Sequence, residues 1–361
     1  MTNFGRETLP YGVFSVDGSA PRIGVAVDEG VLDLAEHLGR EFATGSLNGF
    51  MAQGRERWTE VRHQVRGLVD RPLLPVSDVT LHLPFEVADY VDFYASEQHA
   101  TNLGRMFRPD SEPLLPNWKH LPVGYHGRAG TVVVSGTDVR RPRGLRLPGP
   151  AYGESSKLDV EVELGFVVGV PSELGTPVGT AAFEEHVFGV VLLNDWSARD
   201  IQSYEYVPLG PFLGKSFATS ISPWVVPLEA LDRVAAPVQA PRVADYLQVQ
   251  GDWALDLDLE LVINGEVVSR PPYKGMYWTA PQMLAHMTAN GASLRTGDLF
   301  ASGTISGDEP DQRGSLIELT WNGTEPINGR TFLEDGDVVT IRGLTASGLP
   351  LGEVTGRIAP P

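Results

Sequence analysis

Hydrophobic and polar residues alternate most regularly over residues 157–170, KLDVEVELGFVVGV. Apolar side chains occupy every second position from 158 to 164, and Asp159, Glu161 and Glu163 lie between them. This two-residue period predicts a β-strand with one apolar face and one acidic face. Successive acids on that face lie about 7 Å apart, and the run Phe166–Val168 that follows is apolar on both faces. The pattern therefore raises the question of what stabilises three like charges beside a buried strand.

Strand-like patterns recur along the rest of the chain. Short strands joined by turns are predicted for Tyr11–Leu38, and further strands for GTVVVSG, FGVVLLND, LDLDLELVINGEVV, GSLIELTWNG and GDVVTIRG. Asn-Gly pairs at 264–265 and 322–323 predict turns. Helical spacing is rarer and predicts helices at about 54–69, 95–107, 181–187, 197–204 and 281–289. This balance predicts a mainly β chain of the α+β class.

Two proline-punctuated segments, RPLLP and HLPFEV, predict a domain boundary near Leu83. The predicted domains are 1–83, a small β-rich domain without obvious chemistry, and 84–361, which carries the candidate functional residues.

Composition narrows the classes of function. The 361 residues include 28 Lys and Arg against 46 Asp and Glu, a net charge of −18, which argues against a nucleic-acid partner. The absence of cysteine excludes disulfides, thiolate nucleophiles, cysteine-ligated zinc and iron–sulfur clusters. The N-terminal sequence MTNFGRETLPYG lacks the features of a signal peptide, and no apolar run is long enough to span a membrane. We therefore expect a cytoplasmic protein with no membrane partner.

Two further acids end strand-like segments and suggest a metal site. Asp195 ends the apolar run FGVVLLND, and Asp92 ends an extended segment just before a predicted helix. Hard divalent cations take several oxygen ligands, which carboxylates on neighbouring strands can supply together. The alternative is a strand with one solvated face. We adopt that interpretation for the similar pattern LDLDLELVI at 255–263, and both remain open for 157–170.

Other chemical signals are weaker or absent. His99 lies on the first turn of the predicted helix, seven residues after Asp92, where its imidazole could face a metal-bound substrate, although a structural histidine is the simpler interpretation. The segment PLGPFLGKS is not a phosphate-binding loop, because only three residues separate Gly210 from Gly214 where four are needed. No G-x-S-x-G motif occurs, which counts against a serine hydrolase.

Four longer segments together resemble the fumarylacetoacetate hydrolase family. They are DFYASEQHATNLGRMFR, LPNWKHLPVGYHGRAGTVVVSGT, LNDWSARDIQSYEYVPLGPFLGKSFATSISPWVVPLEAL and RTGDLFASGTISG. The resemblance implies an N-terminal SH3-like barrel, a C-terminal mixed β-roll and a homodimer. The implied activity is metal-dependent hydrolysis of a carbon–carbon bond in fumarylacetoacetate, a small dicarboxylate diketone, as the last step of tyrosine and phenylalanine breakdown.

The same resemblance implies a role for individual residues. The implied ligands of a Ca²⁺ or Mg²⁺ ion are Asp92, Glu161, Glu163 and Asp195, with Lys215 and Thr219 lining the same pocket. His99 matches the general base, oriented by Glu318. The residues that match oxyanion-stabilising groups are Arg199, Gln202 and Lys215. Those that match substrate contacts are Tyr94, Arg108, Tyr125, Gln202, Tyr206 and Thr304. Asp159 has no counterpart role and is interpreted as a structural acid.

Two alternatives remain at this point. The first is a related hydrolase, decarboxylase or isomerase that acts on another β-diketone or an acylpyruvate, for which the frame of Arg108, Tyr125 and Tyr206 would not be needed. The second is a Ca²⁺-stabilised β module that binds ligands without catalysis and needs no base at position 99.

Overall fold

The computed structural model describes residues 4–146 and 149–361, so the first three residues of the predicted segment 1–83 lie outside the described residues. The N-terminal elements are β1 (Tyr11–Ser15), β2 (Arg22–Val27), β3 (Gly30–Asp33), α1 (Leu34–His37), α2 (Asn48–Met51), α3 (Arg55–Arg66), β4 (Leu74–Pro75) and β5 (Thr80–His82). Helix α3 confirms the helix predicted at 54–69, and its Trp58, Val61 and Val65 are buried.

The following elements run from residue 89 to the middle of the chain. They are β6 (Asp89–Phe93), α4 (Glu97–Phe107), β7 (Gly124–His126), β8 (Val132–Val134), β9 (Val139–Arg140), β10 (Arg143–Arg146), β11 (Ala151–Glu154), β12 (Leu158–Asp159), β13 (Val162–Val168), α5 (Phe183–His186), β14 (Val187–Asp195), β15 (Ser197–Ala198) and α6 (Arg199–Glu205).

The last elements are β16 (Thr219–Ile221), β17 (Trp224–Pro227), β18 (Arg233–Val234), β19 (Ala254–Leu255), β20 (Leu257–Ile263), β21 (Glu266–Ser269), α7 (Ala280–Thr288), β22 (Asp298–Ala301), α8 (Leu316–Leu319), β23 (Val338–Thr345) and β24 (Pro350–Ala359). The predicted helices at 95–107, 197–204 and 281–289 are confirmed as α4, α6 and α7, and the one at 181–187 is the shorter α5.

Two large sheets organise the described residues. The first has 13 strands, in the order β4-β3-β2-β1-β17-β14-β13-β22-β6-β7, with β5, β16 and β8 attached at its sides. The second has five, in the order β21-β20-β23-β24-β9. Strand β1 joins the N-terminal strands to the rest of the first sheet, because Tyr11 pairs with Val225 of β17. The chain is therefore a strand-rich fold of mixed α and β structure.

The SH3-like barrel implied for the N-terminal part is not confirmed. Among the described residues, β1 to β5 form an open extension of the large sheet and no closed barrel is found. The physical reason is that β1 uses one edge for β2 and divides the other between β5 and β17, so the N-terminal strands pair outward with the larger sheet.

Strand β13 is buried on both faces, which explains why the acids at its start are buried. Leu164 and Phe166 pack into the core shared with the five-stranded sheet, whereas Val167 packs into a second core with the N-terminal residues. Glu161 and Glu163 lie on the Val167 face and are buried with it. The interpretation of 157–170 as one half-exposed strand is therefore wrong, and the chain there forms the two strands β12 and β13.

The segment GSLIELTWNG also departs from its predicted structure. It forms the short helix α8 followed by a turn in which Asn322 and Gly323 have positive φ, instead of a strand. The side chain of Asp159 accepts hydrogen bonds from the backbone N–H groups of Leu316 and Ile317, which stabilises the start of this helical turn. A tertiary contact thus overrides the β-propensity of the apolar residues.

Candidate active site and metal centre

The four predicted metal ligands come from three strands of the 13-stranded sheet and the segment before one of them. Asp92 lies on β6, Glu163 on β13 and Asp195 at the end of β14, while Glu161 immediately precedes β13. One carboxylate oxygen from each residue lies within 4.8 Å of the others, and all four residues are buried. The structure therefore brings together acids that are up to 103 positions apart in the sequence.

The four carboxylates fit a hard divalent cation. Asp92 Oδ1 and Glu163 Oε1 are buried without a hydrogen-bond partner, which is costly for a carboxylate unless an ion is bound. Burial raises the pKa of Asp92 and of Glu163 well above its usual range, and the neighbouring carboxylates raise both further. An all-oxygen set of this kind suits Ca²⁺, Mg²⁺ or Mn²⁺.

Two side chains link the carboxylates to each other, and a third contacts one of them. Lys215 Nζ donates to Asp195 Oδ2 at 2.8 Å and also to Glu161, and Thr219 Oγ1 donates to Asp195 Oδ1 at 3.0 Å. The Tyr125 hydroxyl lies 2.8 Å from Asp92 Oδ2 and 2.9 Å from Asp195 Oδ2. Tyr125, matched as a substrate contact, therefore also bridges two of the candidate ligands.

Glu161 differs in charge environment from the acids around it. Burial raises its pKa, but the cationic Lys215 and Arg199 outweigh burial and hold the pKa of Glu161 below its ordinary value. Glu161 and Asp195 in turn raise the pKa of Lys215 against the effect of its own burial, so both partners stay charged. The carboxylates nonetheless outnumber the two cationic side chains beside them, which leaves negative charge for a cation to neutralise.

The close approach of a glycine completes this pocket. Gly303 N donates to Glu163 Oε2 at 3.0 Å, and the glycine has a φ of +74°. A Cβ atom at this position would lie 2.1 Å from the Phe93 carbonyl oxygen. Only glycine therefore lets the chain approach Glu163 closely enough to donate this bond.

His99 and Glu318 form a buried pair beside the cluster. His99 is on the first turn of α4, where Ser96 caps the helix, and its Nδ1 lies 2.7 Å from Glu318 Oε2. With the ring proton on Nδ1, Nε2 is an acceptor; it lies 3.9 Å from Glu161 Oε1 and faces the carboxylate cluster. Burial raises the pKa of Glu318, but His99 and the neighbouring donors lower it more, which keeps this carboxylate ionised.

Sequence reasoning missed the residues that hold Glu318. Asn102 Nδ2 donates to Glu318 Oε1 at 3.0 Å, and the hydroxyls of Ser306 and Ser315 donate to Oε2 at 2.9 and 2.7 Å. Asn102 could have been found, because it lies three residues after His99 on the same helix face. Ser315 also had a signal, because it lies three residues before Glu318 in the S-x-x-E spacing of a helix start. Ser306 had none, since its loop meets Glu318 only in the folded chain.

The remaining predicted residues line one cavity of about 320 Å³. Its polar lining comprises Asp92, Tyr94, His99, Arg108, Asn117, Tyr125, Glu161, Arg199, Gln202, Ser203, Tyr206, Lys215 and Thr304. The predicted residues Glu163, Asp195 and Glu318 lie behind this surface beside residues that form it, and Thr219 contacts Asp195 from further behind. The cavity volume suits a small organic ligand.

Two buried polar groups in the cavity wall lack partners and could bind a ligand. Arg108 Nη2 donates to the Pro113 carbonyl at 2.8 Å, but Arg108 Nε is buried without a partner, as is Thr304 Oγ1. Both groups can donate to anionic or carbonyl oxygens of a ligand. Apolar side chains cover the same region, among them Leu103, Phe107, Leu114 and Trp118.

Comparison with known proteins gives the same picture over the whole length of the chain. Residues 7–84 match the family model described as fumarylacetoacetase N-terminal, and residues 89–359 match that described as fumarylacetoacetate (FAA) hydrolase C-terminal. The chain is 45% identical to the fumarylacetoacetase of Rattus norvegicus and to that of Homo sapiens, in each case over 99% of this chain and 97% of the relative. It also shares its fold with a fumarylacetoacetate hydrolase from the psychrophilic Exiguobacterium antarcticum, with a TM-score of 0.61 and 19% identity over 98% of this chain and 100% of the other.

These matches agree with the geometry of the site, in which a histidine–carboxylate pair faces a buried carboxylate cluster. Among the described residues, no helix is both long and apolar enough to cross a membrane. The chain belongs to the fumarylacetoacetate hydrolase family.

Proposed function

We propose that this protein hydrolyses fumarylacetoacetate to fumarate and acetoacetate in tyrosine and phenylalanine breakdown, using a Ca²⁺ or Mg²⁺ ion held by Asp92, Glu161, Glu163 and Asp195. The observation that carries the proposal is that His99, which is paired with Glu318, lines the same cavity as Asp92 and Glu161 of the carboxylate cluster. Arg108 lines this cavity as well, and its Nε has no hydrogen-bond partner. A divalent cation bound there would supply Lewis acidity toward the oxygens of the diketone.

His99 is proposed as the general base. Its Nε2 accepts a proton from a water molecule while the water oxygen attacks the carbonyl carbon next to the fumaroyl double bond. The Glu318 carboxylate accepts a hydrogen bond from Nδ1–H, and its negative charge stabilises the imidazolium that forms. When the carbon–carbon bond breaks, the imidazolium supplies the proton that converts the departing methylene carbon, which lay between the two carbonyls of the substrate, into the methyl group of acetoacetate. The reaction thus consumes one water and leaves the enzyme unchanged.

Cationic donors in the cavity are proposed to stabilise the oxyanion formed by this attack. Arg199 Nη1 donates to Gln202 Oε1 at 3.1 Å, and Lys215 lies against Asp195 and Glu161. These side chains are already fixed by buried partners, so little reorganisation is needed when negative charge develops. Preorganised donors of this kind typically contribute about 3–4 kcal/mol each to the transition state.

Substrate orientation is assigned to further residues that line the cavity. Arg108 Nε is free to pair with a terminal carboxylate, and the hydroxyls of Tyr94, Tyr206 and Thr304 are available for the remaining oxygens. A charge-assisted pair in this buried setting is stronger than a neutral hydrogen bond. The need for such a pair explains an arginine within an otherwise acidic site.

The Arg108→Gln variant is expected to raise KM about 10–100-fold while changing kcat much less. The reason is that a hydrogen bond to a charged group contributes about 1.5–3 kcal/mol to binding, and Arg108 is assigned to substrate binding and not to the groups that act on the bonds that break. Steady-state kinetics with fumarylacetoacetate measures both constants. Arg105→Gln, an exposed position on the same helix, is the matched control and should leave KM unchanged. A parent-like KM in Arg108→Gln would remove the carboxylate contact from the proposal.

The test of the function itself is direct. Purified protein mixed with fumarylacetoacetate should cause loss of the enol absorbance, whereas acylpyruvates should be hydrolysed poorly. Turnover of acylpyruvates without turnover of fumarylacetoacetate would replace this proposal by the related-hydrolase alternative.

Four further features stay predictions. They are the homodimer, the mixed β-roll, the division into 1–83 and 84–361, and the cytoplasmic location.

A further inference from the structure

We propose that Asp159 is a positioning residue that fixes Arg199 and the helical turn carrying Glu318, and thereby sets the distance between the oxyanion donor and the base. This inference rests on the proposed function and deepens it. It assigns a role to the one acid of the 157–170 pattern that the metal centre does not use.

Asp159 is fully buried and accepts four hydrogen bonds from four different residues. Its Oδ1 accepts from Val160 N at 2.8 Å and Leu316 N at 2.7 Å. Its Oδ2 accepts from Arg199 Nε at 2.8 Å and Ile317 N at 3.1 Å. Both carboxylate oxygens thus accept two hydrogen bonds each. The carboxylate joins three parts of the chain that are distant in sequence: its own strand, Arg199 and the start of α8.

On one side, Asp159 fixes the plane of the Arg199 guanidinium. The group is rigid and planar, so a bond to Nε determines the directions of both Nη atoms. Nη1 points to Gln202, and Nη2 lies 2.7 Å from Glu161 Oε1, although none of its N–H bonds is aimed directly at that oxygen. Arg199 lines the cavity, so the directions that Asp159 imposes on its Nη atoms decide which donors it can present to the oxyanion expected there.

On the other side, Asp159 holds the start of α8. The N–H groups of Leu316 and Ile317 are at the N-terminus of a helix, where no preceding turn supplies acceptors. Glu318 follows directly in the chain, and its carboxylate accepts a hydrogen bond from His99 Nδ1. A displacement of this turn would therefore move the carboxylate that orients the base.

Asp159 affects catalysis only through Arg199 and the turn that carries Glu318. It is not among the residues that line the cavity, and its carboxylate is already saturated by donors. Substitution of Asp159 should consequently change the geometry of catalysis more than the contacts that bind substrate.

Asp159→Asn tests this role with almost no change in side-chain volume. In either amide orientation, the new NH₂ group faces two donors, the pair Val160 N and Leu316 N or the pair Arg199 Nε and Ile317 N. Two donors that face each other cannot form a hydrogen bond. At least one of the two groups that Asp159 holds, Arg199 or the start of α8, must therefore shift. We expect kcat to fall about 10–100-fold, as is usual when a residue that orients a catalytic group is replaced, with KM within about threefold of the parent.

Asp337→Asn is the matched control. Asp337 is also buried and also accepts from an arginine, a backbone N–H and one further donor, namely Arg330, Glu334 N at 2.7 Å and Asn264 Nδ2 at 2.8 Å. It contacts none of the proposed catalytic residues. The control should lower the melting temperature and leave kcat unchanged at temperatures well below melting, which separates a loss of stability from a loss of positioning.

Coupling to the two held groups gives a second readout. In the Arg199→Lys and Glu318→Gln backgrounds, Asp159→Asn should lower kcat by a smaller factor than it does in the parent. The reason is that each background has already removed one of the two groups that Asp159 positions. Full multiplicative losses in both backgrounds would overturn the inference, as would a parent-like kcat in Asp159→Asn.

A measurement without substrate keeps the two proposals separable. In protein labelled with ¹⁵N-arginine, the Nε–H resonance of Arg199, identified by its loss in Arg199→Lys, should exchange slowly with solvent. Slow exchange should be lost in Asp159→Asn and retained in Asp337→Asn. If the parent fails to hydrolyse fumarylacetoacetate, the proposed function fails; unchanged exchange in Asp159→Asn overturns the positioning role whether or not the parent is active.

Discussion

Replacing His99 with alanine is expected to lower kcat for fumarylacetoacetate by about 10²–10⁴-fold, the usual contribution of a positioned general acid–base residue. In the folded chain, Nδ1 of His99 is bound by Glu318 and Nε2 faces the carboxylate cluster. Among the described residues, no other imidazole lines this cavity. Initial rates from the enol absorbance, measured at saturating substrate, give kcat directly.

Two further variants define what the His99→Ala result means. Exposed His63 on α3 is the matched control, and His63→Ala should retain the parent kcat. Glu318→Gln should also lower kcat, and adding it to His99→Ala should cost little more, because Glu318 acts through the imidazole. Parent-like turnover by His99→Ala would exclude His99 as the base and would favour a binding module or another catalytic group.

Removal of divalent cations with EDTA is expected to have a comparable effect. Loss of a Lewis acid worth about 4 kcal/mol to the transition state corresponds to about 10³-fold in rate, and Ca²⁺ or Mg²⁺ should restore it. Stability should fall as well, because a ligand at 100 times its Kd stabilises the native state by about 2.7 kcal/mol. Thermal melts of EDTA-treated protein, with and without added cation, measure this shift.

Two acids with the same sequence pattern provide the contrast for this experiment. Glu163→Gln removes a candidate ligand and one of several like charges, so its melting temperature should respond weakly to added cation. Asp258→Asn changes an exposed acid on β20 and should preserve the full response. Equal responses in both variants would show that the cation stabilises the protein at some other site.

The same two acids show where sequence reasoning reaches its limit. The alternation around Glu163 and that around Asp258 are equally regular, yet the first acid is buried and the second is exposed. For β20, the interpretation as a half-solvated strand is confirmed. Both strands lie between two neighbouring strands, and what separates them is that β13 is covered by a hydrophobic core on each of its faces. Periodicity reports which residues share a face and does not report what covers that face.

The residues that line the site could be found from the resemblance to the family, but the hydrogen bonds that hold them in place could not. The sequence motifs identified the side chains around the cavity, and the structure brings those side chains together. The links from Asp159 to α8 and from Ser306 to Glu318 depend on how loops meet in the folded chain. The strand predicted over GSLIELTWNG failed for the same reason, since a side chain from position 159 stabilises a helical turn there.

The central claim is that four buried carboxylates bind one divalent cation next to His99. Crystals grown with Mn²⁺, which prefers the same oxygen ligands as Mg²⁺, allow the cation to be located from its anomalous scattering. The account predicts one dominant peak about 2.0–2.6 Å from oxygens of Asp92, Glu161, Glu163 and Asp195. A map with no peak among these four residues, from crystals grown with saturating Mn²⁺, would contradict it.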